Sequence, residues 1–133
     1  MLANVTWKQE MSLEAVSHSH HTIVFDGDPM HTHGASPMEA VLMALCGCTA
    51  IDVVSILKKK REPFTGLAVS AVAEQASEPP TVFTHVRLTY RVSGAVSRKA
   101  MEDAVRLSET KYCSVAAMLS KTAKIEYEIE YAG

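Results

Sequence analysis

From Val41 to Leu57 the chain is almost continuously apolar, broken only by the polar side chains of Thr49, Asp52 and Ser55. The run is preceded by Ser36-Pro37-Met38-Glu39, in which Ser36 can cap a helix, Pro37 suits its first position and Glu39 can reach back to the cap. It is followed by Lys58-Lys59-Lys60-Arg61, whose charges suit the negative end of the helix dipole, and by Pro63, which ends it. The sequence therefore predicts one helix from Pro37 to about Lys60. A helix apolar on nearly every side must be covered on nearly every side. In a chain of 133 residues that means sheet on some faces and a partner chain on others. The run falls just short of a membrane span, and no membrane or nucleic-acid partner is expected.

The rest of the chain reads as strands and short helices. Asn4–Lys8, Leu13–His20 and His21–Asp26 are strand-like, and Gly27-Asp28-Pro29 with His31-Thr32-His33-Gly34 is a loop. Leu67–Gln75 and Val82–Val92 follow. In the latter, Val82, Thr84, Val86, Leu88, Tyr90 and Val92 share a face. Ser97 caps a second helix to about Ser108, a break falls near Thr110–Tyr112, a short helix spans Cys113–Lys121, and Lys124–Tyr131 alternates as a last strand. The order predicts a single α+β domain covering residues 1–133.

Charge excludes a nucleic-acid binder: Lys and Arg number 13 against 15 Asp and Glu. Residues 1–57 hold six acids and one base, and residues 58–133 twelve bases and nine acids. That asymmetry weakly favours pairing between copies. The N-terminal residues lack a basic segment followed by an apolar run, so no signal peptide is expected and the chain reads as cytoplasmic. Three cysteines, with Cys46 and Cys48 too close to bridge comfortably, do not form a secreted disulfide framework.

Helical geometry separates two of those cysteines. At roughly 100° per residue, Cys48 falls within the stripe of Thr49, Asp52 and Ser55, whereas Cys46 points into the apolar wall. Asp52, one turn after Cys48, is expected close to its thiol and would oppose ionisation. Cys113 opens a helix after Lys111, a place where dipole and cation would stabilise a thiolate. Spacing alone leaves open whether Cys48 and Cys113 meet or are two unrelated buried cysteines. His18, His20, His21, His31 and His33 invite a metal reading. The supporting carboxylates and spacing of a zinc site are missing, so these read as exposed or partly buried side chains, and no metal is expected. His85 reads as a solvent-face residue of its strand.

The segments Ser36-Pro37-Met38-Glu39-Ala40-Val41-Leu42-Met43-Ala44 and Gly47-Cys48-Thr49-Ala50-Ile51-Asp52-Val53-Val54 resemble the first cysteine helix of the OsmC/Ohr family, and Lys111-Tyr112-Cys113-Ser114-Val115-Ala116 resembles its second cysteine motif. The resemblance implies an OsmC-like fold, an intertwined homodimer with central long helices wrapped by antiparallel sheets. It implies a thiol peroxidase that reduces organic hydroperoxides, with Cys48 peroxidatic, Cys113 resolving and an external dithiol as reductant in place of any bound cofactor. Two positions depart from the peroxidase pattern: no arginine precedes Arg61, and Met38 stands where a glutamate is placed. Glu39 lies on the far side of the helix from Cys48 and serves the cap instead. The other reading is a dimeric binding protein with an apolar interface pocket for a small hydrophobic ligand and little or no peroxidase activity.

Overall fold

The computed structural model describes all 133 residues as two compact units, Met1–Val41 and Leu42–Gly133. The first unit holds an antiparallel sheet of β1 (Ala3–Gln9), β2 (Ser12–Ser17) and β3 (Thr22–Asp26) in the order β1-β2-β3. β2 stops three residues before the expected end. The backbone of His20 enters the left-handed region (φ 66°), and its N–H donates to the Ser17 carbonyl at 2.9 Å, which closes a turn. After β3 the buried Asp26 carboxylate accepts the Asp28 N–H at 2.8 Å and the His33 N–H at 2.9 Å. Those backbone bonds hold its pKa below the usual value and order a loop rich in Gly and His.

Helix α1 (Pro37–Lys59) starts as its residues dictate. Ser36 Oγ accepts the Glu39 N–H at 3.1 Å while the Glu39 carboxylate accepts the Ser36 N–H at 2.8 Å, a reciprocal capping box. One stripe of α1, Leu45, Thr49, Val53 and Leu57, is fully buried. The expectation of burial on nearly every side is not met within one chain, since Met43 and Ile51 are 57% and 71% exposed. The whole helix is also long and apolar enough to cross a membrane, with mean hydropathy 2.2, although Val41–Leu57 alone fell short. The buried polar stripe residue Thr49 makes its bonds to other parts of the second unit.

The second unit carries the other sheet, of β4 (Phe64–Gln75), β5 (Phe83–Gly94) and β6 (Lys124–Ala132). β5 lies in the middle, antiparallel to β4 and parallel to β6. Val86, Leu88, Tyr90 and Val92 form its buried face, as alternation predicts. Phe83 replaces Thr84 on that face, because the register with β4 slips between Glu74 and Gln75 and turns the start of β5 over. On the opposite face His85 bonds Glu126 at 2.7 Å. Helix α2 (Arg98–Leu107) is capped by Ser97 and buries Ala100, Met101, Ala104 and Val105.

Where a break was expected near Thr110, the chain instead widens into a π-type turn, Ser108–Tyr112, closed by the Cys113 N–H donating to the Ser108 carbonyl at 2.8 Å. Helix α3 (Ser114–Leu119) follows, with Cys113 as its cap rather than its first residue.

Gly94 ends β5 at φ 102°, and a β-carbon there would stand 2.5 Å from the Pro63 carbonyl oxygen. Gly94→Ala is expected to destabilise the fold by about 2 kcal/mol or more, read as a lower urea midpoint at unchanged slope.

Candidate functional site

Cys48 lies half-buried on α1, and Cys113 is 3% exposed at the cap of α3. Burial pushes the Cys113 thiol up to about 12, with Cys48 adding to the rise. The Cys113 sulfur also accepts the Ala116 N–H at 3.4 Å, as a capping side chain should. That bond favours the thiolate, as expected of a helix start, but desolvation outweighs it. Lys111 does not supply the expected cation, because its ammonium sits 5.2 Å over the Tyr112 ring. Cys46 stands apart, its thiol raised by burial alone.

Beside the thiols runs a set of hydrogen-bonded side chains drawn from α1, β5 and the π turn. Thr49 Oγ1 lies 2.7 Å from Tyr90 Oη and 2.7 Å from Ser108 Oγ. Tyr90 Oη lies 2.5 Å from Glu109 Oε1, and Ser108 donates to Asp52 Oδ2 at 2.8 Å. Thr49, Tyr90 and Ser108 are completely buried. The π turn explains the arrangement: by opening the helix one residue wider before Cys113, it lets Ser108 and Glu109 both bond inward.

Asp52, expected close to the Cys48 thiol, accepts a hydrogen bond from Ser108, and the carboxyl whose charge acts on Cys113 is that of Glu109. Burial raises the pKa of Glu109, with Asp52 adding to the rise against the opposing hydrogen bonds from Tyr90 and Thr49. Burial and the Glu109 contact raise Tyr90 as well.

Sequence reasoning missed Tyr90, Ser108 and Glu109. Tyr90 gave the one available signal, since a tyrosine on a buried strand face must find a partner for its hydroxyl.

Every arginine sits elsewhere. Arg87 and Arg91 face Glu126 and Glu130, Arg98 covers the Tyr131 ring, Arg106 binds Asp103, and Arg61 is exposed in a left-handed turn. The histidines do not gather either: His18, His20 and His21 are exposed around the β2–β3 turn, and no three His, Cys, Asp or Glu side chains are placed to share a metal ion.

Comparison with known proteins gives concordant results. Residues 27–128 match the family model described as OsmC-like protein. The chain is 43% identical to protein YhfA of Escherichia coli (strain K12) over 131 residues, covering 98% of this chain and 97% of that one. It superimposes on a hypothetical protein from Aquifex aeolicus VF5 with a TM-score of 0.85 at 28% identity, over 99% of this chain and 97% of the other. The organic hydroperoxide resistance protein OhrB of Bacillus subtilis shares the fold, with a TM-score of 0.65 at 14% identity and 98% of each chain covered.

Two outcomes follow from the site. Because the thiolate is the reactive form, burial and the value near 12 leave Cys113 ionised at pH 8 to a fraction on the order of 10⁻⁴. Mass mapping after a timed iodoacetamide pulse should find Cys48 alkylated at least about 100-fold faster than Cys113.

The second concerns Glu109. A carboxyl raised in the folded state stabilises the fold below its unfolded pKa, and the contribution is lost as pH rises through the raised value. Urea titrations from about pH 4 to about pH 8 should therefore show Glu109→Gln gaining steadily on the unaltered protein.

Proposed function

Because this chain belongs to the OsmC-like family, we propose that it is a thiol-dependent peroxidase that reduces organic hydroperoxides with Cys48 and Cys113 as its catalytic pair. The observation that carries this reading is that Thr49, next to the half-buried Cys48, bonds Ser108 at 2.7 Å, and the Ser108 carbonyl accepts the N–H of the buried Cys113 at 2.8 Å, so both thiols belong to one neighbourhood. Cys48, the more accessible sulfur, attacks the distal peroxide oxygen. The O–O bond breaks, an alcohol leaves, and Cys48 becomes a sulfenic acid. The Cys113 sulfur then displaces that oxygen. An S–S bond forms, the S–O bond breaks, and the hydroxide leaves as water with the Cys113 proton. An external dithiol restores both thiols.

The working unit in this reading is a homodimer. Met43 and Ile51 of α1 are exposed, and no residue of β1 is buried, with Val5 and Trp7 at 55% and 67% exposure. A second copy covering these apolar residues removes them from water. It also offers a source of a cation beside Cys48, because four of this chain's five arginines are paired elsewhere.

One observation favours the second reading, a dimeric binding protein with a hydrophobic ligand and little peroxidase activity. The charged or chargeable neighbours of the cysteine pair within the chain are acidic, Glu109 acting on Cys113 with Asp52 beyond it. Kinetics separate the two. A peroxidase consumes cumene hydroperoxide with loss of two thiols per chain, loses consumption in Cys48→Ser, and accumulates a sulfenic acid in Cys113→Ser. Consumption at the rate of a free cysteine would favour the binding protein.

A further inference from the structure

The oxygens of Asp52, Ser108, Thr49, Tyr90 and Glu109 form an unbranched row of four short contacts, at 2.8, 2.7, 2.7 and 2.5 Å in that order. The only other contact is a marginal one at 3.5 Å from Thr49 to Glu109. Each short contact needs one proton between its oxygens. The three hydroxyls supply three. With both carboxyls ionised, Ser108 spends its proton on Asp52 and Tyr90 spends its own on Glu109. Thr49 then has one proton for two bare oxygens, and one 2.7 Å contact is left with none. In a completely buried position no water relieves this. A fourth proton satisfies all four contacts at once, with every donor pointing the same way along the row.

We propose that Glu109 and Asp52 hold a single proton in common through Tyr90, Thr49 and Ser108, and that in the reduced protein it rests on Glu109, neutralising the carboxyl that faces Cys113. Position on the row decides the resting place. Asp52 stands at the surface end of the row, lining a cavity of about 360 Å³ together with Lys59 and Lys60. Glu109 has no such partner. The groups bearing on it are Tyr90 from β5, Thr49 and Asp52 from α1, and the thiol of Cys113, while the nearby cations Arg106 and Lys111 are turned to Asp103 and Tyr112.

The consequence rests on the thiol chemistry proposed above. In the closing step the Cys113 sulfur carries negative charge as it attacks Cys48, and an ionised Glu109 would oppose it. A Glu109 kept neutral by the shared proton does not. Glu109 is thus a positioning residue acting through Cys113, and the row connects it to the surface for exchange of its proton.

The direct test is infrared spectroscopy of the reduced full-length protein at pH 7, read without any peroxide. The account expects the C=O band of one protonated carboxyl, shifted in deuterium oxide and lost in Glu109→Gln. It also expects the loss of that band in Thr49→Val, which cuts the row into halves that each hold enough protons with both carboxyls ionised. Ser108→Ala removes the same need at another point and serves if Thr49→Val does not fold. No such band in the unaltered protein, or a band that survives these cuts, would overturn the proposal, because a merely desolvated Glu109 keeps its proton without the row.

Disulfide closure by oxidised glutathione gives the functional arm. Thr49→Val should close about tenfold more slowly through the charge restored beside Cys113, and adding Glu109→Gln to it, which removes that charge, should restore most of the rate. Equal slowing in both would refute the electrostatic role. Failure to reduce hydroperoxides while the band behaves as expected would overturn the peroxidase reading alone.

Discussion

Thr49 has one hydroxyl and answers to three parts of the second unit. It is completely buried on α1, and its oxygen stands 2.7 Å from a tyrosine of β5 and 2.7 Å from a serine of the π turn. A buried hydroxyl without partners costs about 1–3 kcal/mol, so helix, strand and turn are held in one relative arrangement. Cys48 is its neighbour on one side, and Cys113 follows the π turn on the other. The two cysteine segments are thus held beside each other by a polar contact inside an apolar wall. Leu45, Val53 and Leu57, also fully buried, give α1 its burial energy but no such directionality.

The same enclosure governs the chemistry. Burial keeps Cys113 a thiol well above neutral pH and pushes Glu109 towards its protonated form. Desolvation acts on both groups in the direction of lower charge. A site of this kind stores little charge within one chain. Under the proposed function, a cation brought by a second copy is one source of activation for the attacking sulfur. The division of labour is physical: Cys48 keeps access to solvent, and Cys113 keeps its proton until oxidised Cys48 offers an electrophile.

Much of the framework was legible in the residues. The capping box at Ser36 and Glu39, the stop at Lys58 and Lys59, and the alternation of β5 from Val86 to Val92 are local rules obeyed locally. The placement of Cys48 with Thr49 on one face of α1 came from the same periodicity, and the resemblance of the two cysteine segments led to the family that the comparisons show. What stayed hidden was longer in range. A helix widening by one residue at Ser108 has no compositional mark, so Ser108 read only as the end of a helix and Glu109 carried no signal. The sign of the environment around Cys113 was hidden for a related reason. A position at the start of a helix predicts a stabilised thiolate, but burial from elsewhere in the chain reverses it. The apolar girth of α1 predicted coverage by sheet and by a partner chain, and a single chain supplies the buried stripe alone.

The central claim is that Cys48 and Cys113 behave as one redox pair. Equilibrating the reduced protein across a series of glutathione redox buffers, then quenching and weighing each species, tests it most directly. The account predicts a two-electron transition to a protein lighter by two hydrogens, with the bridge mapped to Cys48 and Cys113 and negligible mixed disulfide at either. Independent glutathionylation of Cys48, with Cys113 left as a thiol throughout, would contradict it.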